Sequence, residues 1–295
     1  MRVVWDKDSR PRYRVSIDDN CFFLREIART RPASLFENFY LAFLARMHRE
    51  YGTKFALNLF YTTPQGDFTL ADFPARYKGE WEENAEWLTL SFHAYAEFPD
   101  RPYQGAGAER LAADYDLVAG EVRRFAGERA WSPPTVIHWA MVHPSAMGEL
   151  VKRGVKVLSG FFVLATGGNH TRDGGETAAA APEAGYDINY LLDAERSEYL
   201  SRHDALMDWE TGIVFSRVDI VCNNTPVERV VPTLAPLTND PNNAEIMDVF
   251  THEQYFWPFY ANYRPDHAER VEAAVRFLTE KGYEPVFFHE GFLGI

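Results

Sequence analysis

Short apolar runs alternate with helix-spaced patterns along almost the whole chain, and that alternation limits the fold more than any other feature. Strand-like runs fall at 13–17, 54–60, 87–92, 135–142, 155–164, 213–222, 246–250 and 285–289. Helical patterns fall between them at 21–28, 33–50, 110–125, 145–153, 191–203, 227–237 and 266–281. Roughly eight βα units with no linker and no internal repeat predict an α/β chain with one domain over 1–295, a single distorted (β/α)7-8 barrel. An open doubly wound sheet would more often carry a glycine-rich phosphate turn after its first strand. Here that place holds Asp18, Asp19, Asn20 and Cys21. The stretch 167–185, rich in Gly, Ala and polar residues, is expected to be a mobile loop.

In a barrel of parallel strands all C-terminal ends open on one rim, where such folds carry their chemistry. Asp18 and Asp19 end the first run, and His93, His143, His252 and Glu290 follow later ones. Alternation places Thr89, Ser91 and His93 on one strand face and Leu88, Leu90 and Phe92 on the other. The apolar face is expected against helices, and the small polar face in the barrel with His93 at its mouth. A pocket of carboxylates and imidazoles follows.

Composition narrows the partners. The 295 residues are 46% apolar, enough for a large core, and the net charge of −13 argues against a nucleic-acid or anionic-membrane surface. No apolar run approaches the roughly 20 residues of a membrane span, and residues 1–8 lack the apolar core of a secretion signal. A cytoplasmic protein is therefore expected. Cys21 and Cys222 are too few and too far apart for a disulfide framework or metal-ligand spacing.

The run Ser16, Ile17, Asp18, Asp19 resembles the first motif of the polysaccharide deacetylases, the NodB-like or carbohydrate esterase family 4 proteins. The resemblance implies a general base at Asp18 and a divalent-metal ligand at Asp19. The family's second motif has two metal histidines four residues apart; here His93 matches and Glu97 stands in place of the second. The family's general-acid histidine corresponds to His252, within Phe250, Thr251 and His252. The implied site is thus catalytic Asp18 and His252 with metal ligands Asp19, His93 and Glu97. The implied activity is metal-dependent removal of an acyl group from an N-acylated sugar or related amide.

The chemistry also stands on the residues alone. A divalent ion held by carboxylate and imidazole leaves open positions for water and a carbonyl oxygen; mixed O and N donors suit Zn, Mn, Fe, Co or Ni. Two geometric demands follow. Neighbours on a strand point oppositely, so Asp18 and Asp19 share a site only if the strand turns there. His93 and Glu97 would lie about 13 Å apart if extended at ~3.3 Å per residue, so they share an ion only across a turn.

Other readings remain open. Asp19 can cap the next helix, Glu97 can be a solvated loop carboxylate, and His252 can be a third ligand in place of the missing histidine. His138, inside a strand-like run, reads as a core histidine. Glu253, His143 and Glu290 are reserve candidates. A metal-free glycoside hydrolase could pair Asp18 or Asp19 with Glu253 or Glu290, which requires two carboxyl groups ~5–9.5 Å apart. A carbohydrate-binding protein with a degenerate site is the third reading.

Overall fold

The structure, a computed structural model, describes residues 10–162, 190 and 192–291. The stretch expected to be a mobile loop lies outside them.

Local chemistry sets the element ends. Strand β1 (Arg12–Asn20) leads into α1 (Phe22–Thr30). Helix α2 (Phe39–Tyr51) starts where the Asn38 side chain accepts from the amides of Tyr40 and Leu41. It stops at Gly52, whose φ of 71° is the left-handed conformation glycine adopts freely. There follow β2 (Phe55–Phe60), α3 (Lys78–Glu83), β3 (Leu88–Ala94), α4 (Ala108–Phe125), α5 (Met147–Lys152) and β4 (Val157–Phe162). Then come α6 (Ala194–Leu200), β5 (Ala205–Met207), β6 (Val214–Val218), β7 (Ile220–Val221) and α7 (Val227–Leu237). The described chain ends with β8 (Ile246–His252), α8 (His267–Glu280), β9 (Glu284–Pro285) and α9 (Phe288–Gly291).

The strands form two sheets, ordered β3-β2-β1-β8-β7 with β9 also on β1, and β4-β6-β5. All pairings are parallel except β5 with β6. An extended segment, 130–136, bridges one seam. Leu90 N donates to Ala130 O at 2.8 Å and Ser132 N to Leu90 O at 3.0 Å, while Ser159 N donates to Thr135 O at 2.6 Å. At the other seam Asp219 N donates to Asp248 O at 3.0 Å, and Asp219 Oδ2 accepts from Asp248 N at 2.8 Å. The wall is a distorted barrel of parallel strands with helices around it.

The alternation expected for β3 holds. Phe92 packs outward on Tyr103 and Tyr115 at ring-centroid distances of 5.8 and 5.4 Å, while Ser91 Oγ lies 2.8 Å from Ser132 Oγ. In β1, Tyr13, Val15 and Ile17 belong to the apolar core, and the intervening Arg14, Ser16 and Asp18 make polar contacts with other barrel strands. Arg14 forms a bidentate pair with Asp248 on β8 at 2.7 and 3.0 Å and donates to Thr135 Oγ1 at 2.7 Å. Ser159 Oγ donates to the same carboxylate, and the Phe288 ring lies 4.2 Å from the Arg14 guanidinium.

Two expected strands are corrected. The run 135–142 is extended only to Ile137 and then makes a 3-10 turn, His138–Ala140, with Trp139 and Ala140 at φ 63° and 48°. Left-handed residues cannot continue a strand. The last strand ends at Pro285, and α9 carries Glu290 away from the rim. Glu290 pairs with Lys54 at 2.6 Å, and Lys54 precedes β2, at the barrel end opposite His93.

Candidate metal centre

Three segments supply the centre. The first is the end of β1. Its register against β2 shifts between Ile17 and Asn20, and Asp19 has φ 59°, a rare conformation for a residue with a side chain. That turn meets the first geometric demand, so both carboxylates face the same neighbours. His93 Nε2 lies 3.2 Å from Asp19 Oδ1 and 3.6 Å from Asp18 Oδ2. The second segment is the end of β3, which supplies His93. The third is the 3-10 turn, where His138 Nδ1 lies 3.5 Å from Asp19 Oδ1 and 3.1 Å from His93 Nε2. One ligand atom from each of Asp19, His93 and His138 lies within 4.8 Å of the other two, and all three residues are buried.

Packing seats the turn. Its Ala140 carbonyl accepts from Tyr190 N at 2.6 Å. A Cβ at Gly160, which has φ 130°, would lie 2.6 Å from Ala140 Cβ, so only glycine lets the turn approach β4 this closely.

Hydrogen bonds settle which ring nitrogens face inward. His93 Nδ1 faces Val136 O at 3.0 Å, and His138 Nε2 faces Glu97 O at 3.1 Å. A carbonyl only accepts, so both of those nitrogens carry protons. In the neutral rings, His93 Nε2 and His138 Nδ1 therefore present lone pairs to each other and to Asp19 Oδ1. That oxygen is buried and receives no well-aligned hydrogen bond. Three acceptors facing one another need a cation between them, either a proton on His93 or a metal ion.

The charge balance agrees. Burial would raise the Asp19 carboxyl, but His252, His93 and His138 hold it well below the usual carboxylate range. Burial would lower His93, but Asp18 and Asp19 carry it above its ordinary value. His138 is lowered to about 4 by burial and by His93, so it stays neutral. Asp18 is raised by burial, with His93 and His252 opposing. Its Oδ1 accepts from Asn58 Nδ2 at 2.6 Å and Ser16 Oγ at 3.2 Å.

His252 stands beside the centre, paired in register with Asp18, and its Nε2 is 4.0 Å from Asp19 Oδ2. Glu97 contributes its backbone carbonyl to His138, and its carboxylate is outside the three-residue group; burial and the charge of Asp19 raise that carboxyl to about 7. Glu253 is committed elsewhere. Its carboxylate accepts from the amides of Cys21, Phe22 and Phe23 at 2.6–2.9 Å and from the Trp257 indole at 2.9 Å, capping α1. His143 accepts from Ser145 N in an exposed turn. Sequence reasoning missed His138 as a member of the group. Its signal was available: it follows Ile137, where the wall segment ends, just as His93 stands near the end of β3.

No protein-family model matches the chain, and no curated protein matches it. Among solved structures, the chain is similar to 4-α-glucanotransferase from Thermococcus litoralis, with TM-score 0.58 and 12% identity. It covers 97% of this chain and 41% of that one. The likeness is one of fold. Similar structures also include the Xyl-CE4 domain of a multidomain xylanase from the hindgut metagenome of Trinervitermes trinervoides, with TM-score 0.46, 9% identity, and 96% and 90% coverage of this chain and that one. A family 4 acetyl xylan esterase from Clostridium thermocellum, solved with a cobalt ion, has TM-score 0.45, 11% identity, and 95% and 89% coverage. Among the described residues no helix is long and apolar enough to cross a membrane.

Proposed function

We propose that the chain is a divergent relative of the polysaccharide deacetylases, a metal-dependent hydrolase that removes an acyl group from an N-acylated sugar or related amide. One observation carries the reading: Asp19 Oδ1, His93 Nε2 and His138 Nδ1 converge with no donor among them in the neutral rings. The donor set fits Zn, Mn, Fe, Co or Ni. Asp19, His93 and His138 would hold the ion, with His138 in the role the resemblance implied for Glu97. When bound, the ion supplies a lowered water pKa and a polarised carbonyl.

The remaining steps belong to the chain. Asp18 is fixed through Oδ1 by Asn58 and Ser16, which leaves Oδ2 to accept a proton from the attacking water. His252, at the mouth with a quarter of its side chain exposed, returns a proton to the leaving amine through Nε2. Fixed donors and acceptors limit reorganisation during the reaction.

The test has two arms. Protein purified without added metal or chelator is assayed for bound metal, then offered N-acetylated glucosamine oligomers while released acetate is measured. Stoichiometric metal and acetate release, both lost in Asp19→Ala, are expected. A protein that takes up no divalent ion overturns the reading. The carboxylates named for the glycosidase alternative are committed elsewhere, Glu253 to capping α1 and Glu290 to Lys54 at the far end of the barrel.

A further inference from the structure

The contacts of His252 define more than its position. Its Nδ1 lies 3.0 Å from Asn223 Oδ1. Which end of the Asn223 amide faces the ring is fixed by a second bond: Asn223 Nδ2 donates to Asn224 Oδ1 at 2.9 Å. The oxygen is thus turned to His252, and His252 Nδ1 must be the protonated nitrogen. A third contact leads to the same assignment. Thr251 Oγ1 donates to Asn223 Oδ1 at 3.3 Å and lies 2.9 Å from His267 Nε2. The protons of His252 Nδ1 and Thr251 Oγ1 thus both point toward Asn223 Oδ1.

The amide is itself anchored. Asn223 is buried, and its carbonyl accepts from Arg270 Nη1 at 3.1 Å, with Arg270 braced by Asp266 at 3.0 Å. The His252 ring is held between Phe250, at 4.8 Å and nearly perpendicular, and Tyr255 at 6.0 Å.

We propose that Asn223 is the positioning residue of this site: it commits neutral His252 to the Nδ1–H tautomer and so presents the Nε2 lone pair toward Asp19. Its use in amide hydrolysis rests on the function proposed above, whereas the tautomer does not. His252 can then carry a proton only at Nε2, the atom nearest the reacting groups, and cannot turn a blank N–H toward them.

The experiment uses the full chain labelled with 15N-histidine and long-range 1H–15N correlation spectra, which distinguish the two neutral tautomers. His252 is assigned by the signal missing in His252→Gln. The expected result is the Nδ1–H tautomer in the wild type and its loss in Asn223→Ala. Asn223→Asp keeps an acceptor oxygen and restores it. Should Asn223→Ala fail to fold, Asn224→Ala, which frees the amide to rotate, is expected to give a mixture of tautomers. An Nε2–H tautomer in the wild type, or one unchanged in both alanine variants, overturns the proposal. These spectra need no activity, so failure of the hydrolase reading would leave them interpretable. Where acetate release is measurable, Asn223→Ala is expected to lower kcat about 10–100-fold with KM unchanged. An equal rise in KM would assign Asn223 to substrate binding instead.

Discussion

Two of the buried charged groups in this barrel are built on opposite principles. The Arg14 group is balanced: one guanidinium meets one carboxylate through two bonds, and Thr135, Ser159 and the Phe288 ring take up the remaining valences. The Asp19 group is not balanced. Its acceptors face one another, and Asp19, Trp139 and Ala140 hold left-handed backbone that costs about 1–3 kcal/mol each. A fold can use a satisfied pair to join its strands. A surplus of acceptors held in strained backbone is relieved only by a cation, a proton on His93 or a metal ion, and so favours taking one up.

The comparison is broken most severely at Arg14. Arg14→Ala leaves Asp248 buried and unpaired, and an expected loss of about 3–5 kcal/mol in chemical denaturation checks this. Replacing both partners, Arg14→Met with Asp248→Leu, is expected to recover most of it. A mild single variant and a severe double one would show that the pair is not the joint described here.

The Asp19 group should behave in the reverse way. Metal at a thousandfold excess over Kd is expected to stabilise the wild type by about 4 kcal/mol, seen as a rise in Tm that a chelator reverses. Asp19→Ala should abolish that rise. Without metal, the same substitution should lower Tm only modestly, through the lost His93 pair and an alanine at φ 59°, and far less than Arg14→Ala does. A metal-free Asp19→Ala protein much less stable than the wild type would mean that the carboxylate serves the fold.

How much of this was readable in the sequence differs between the two groups. Alternation in 13–17 and 246–250 places Arg14 and Asp248 on inward faces, because period-two patterning is a direct image of strand geometry. Asp19 and His93 were readable as residues at strand ends. The left-handed turn at Asp19 was not, since no glycine marks it, and neither was the departure of the wall at His138. Pro133 and Pro134 precede a β-branched and apolar run there that has the composition of a strand. Long-range tertiary packing, against Tyr190 and Gly160, decides that turn. The Asn223–His252 bond spans 29 residues and leaves no periodic trace. Glu290 was misplaced because the last strand stops at Pro285, and such ends shift by ~2–4 residues.

Within the Asp19 group, Glu97 and His138 divide the sequence expectation from the observed geometry. His138→Ala is expected to weaken metal binding about 10–100-fold by calorimetric titration, whereas Glu97→Ala retains it. The opposite ranking would return the ligand role to Glu97.

The smallest effect is a change of slope, and it extends the comparison to a third buried group. Asp204 accepts from the amides of Glu245 and Ile246, and burial together with Asp219 pushes its carboxyl up to about 8. Arg217 is paired to Asp219, not to Asp204, at 2.6 Å. The fold therefore holds a proton on Asp204 that the unfolded chain releases near its ordinary value of 3.8. Stability from this group is complete below that value and is lost as pH rises through about 8. His138 and His267, lowered to about 4 and 3, act with the opposite sign and only below neutral pH, while Glu97 and Glu253, raised to about 7, contribute equally in both proteins, so the difference between wild type and variant isolates Asp204. Asp204→Asn keeps an oxygen for the two amides and has no proton to lose. Its Tm should fall less than that of the wild type between pH 7 and 9, and parallel slopes would show that Asp204 is already ionised in the fold.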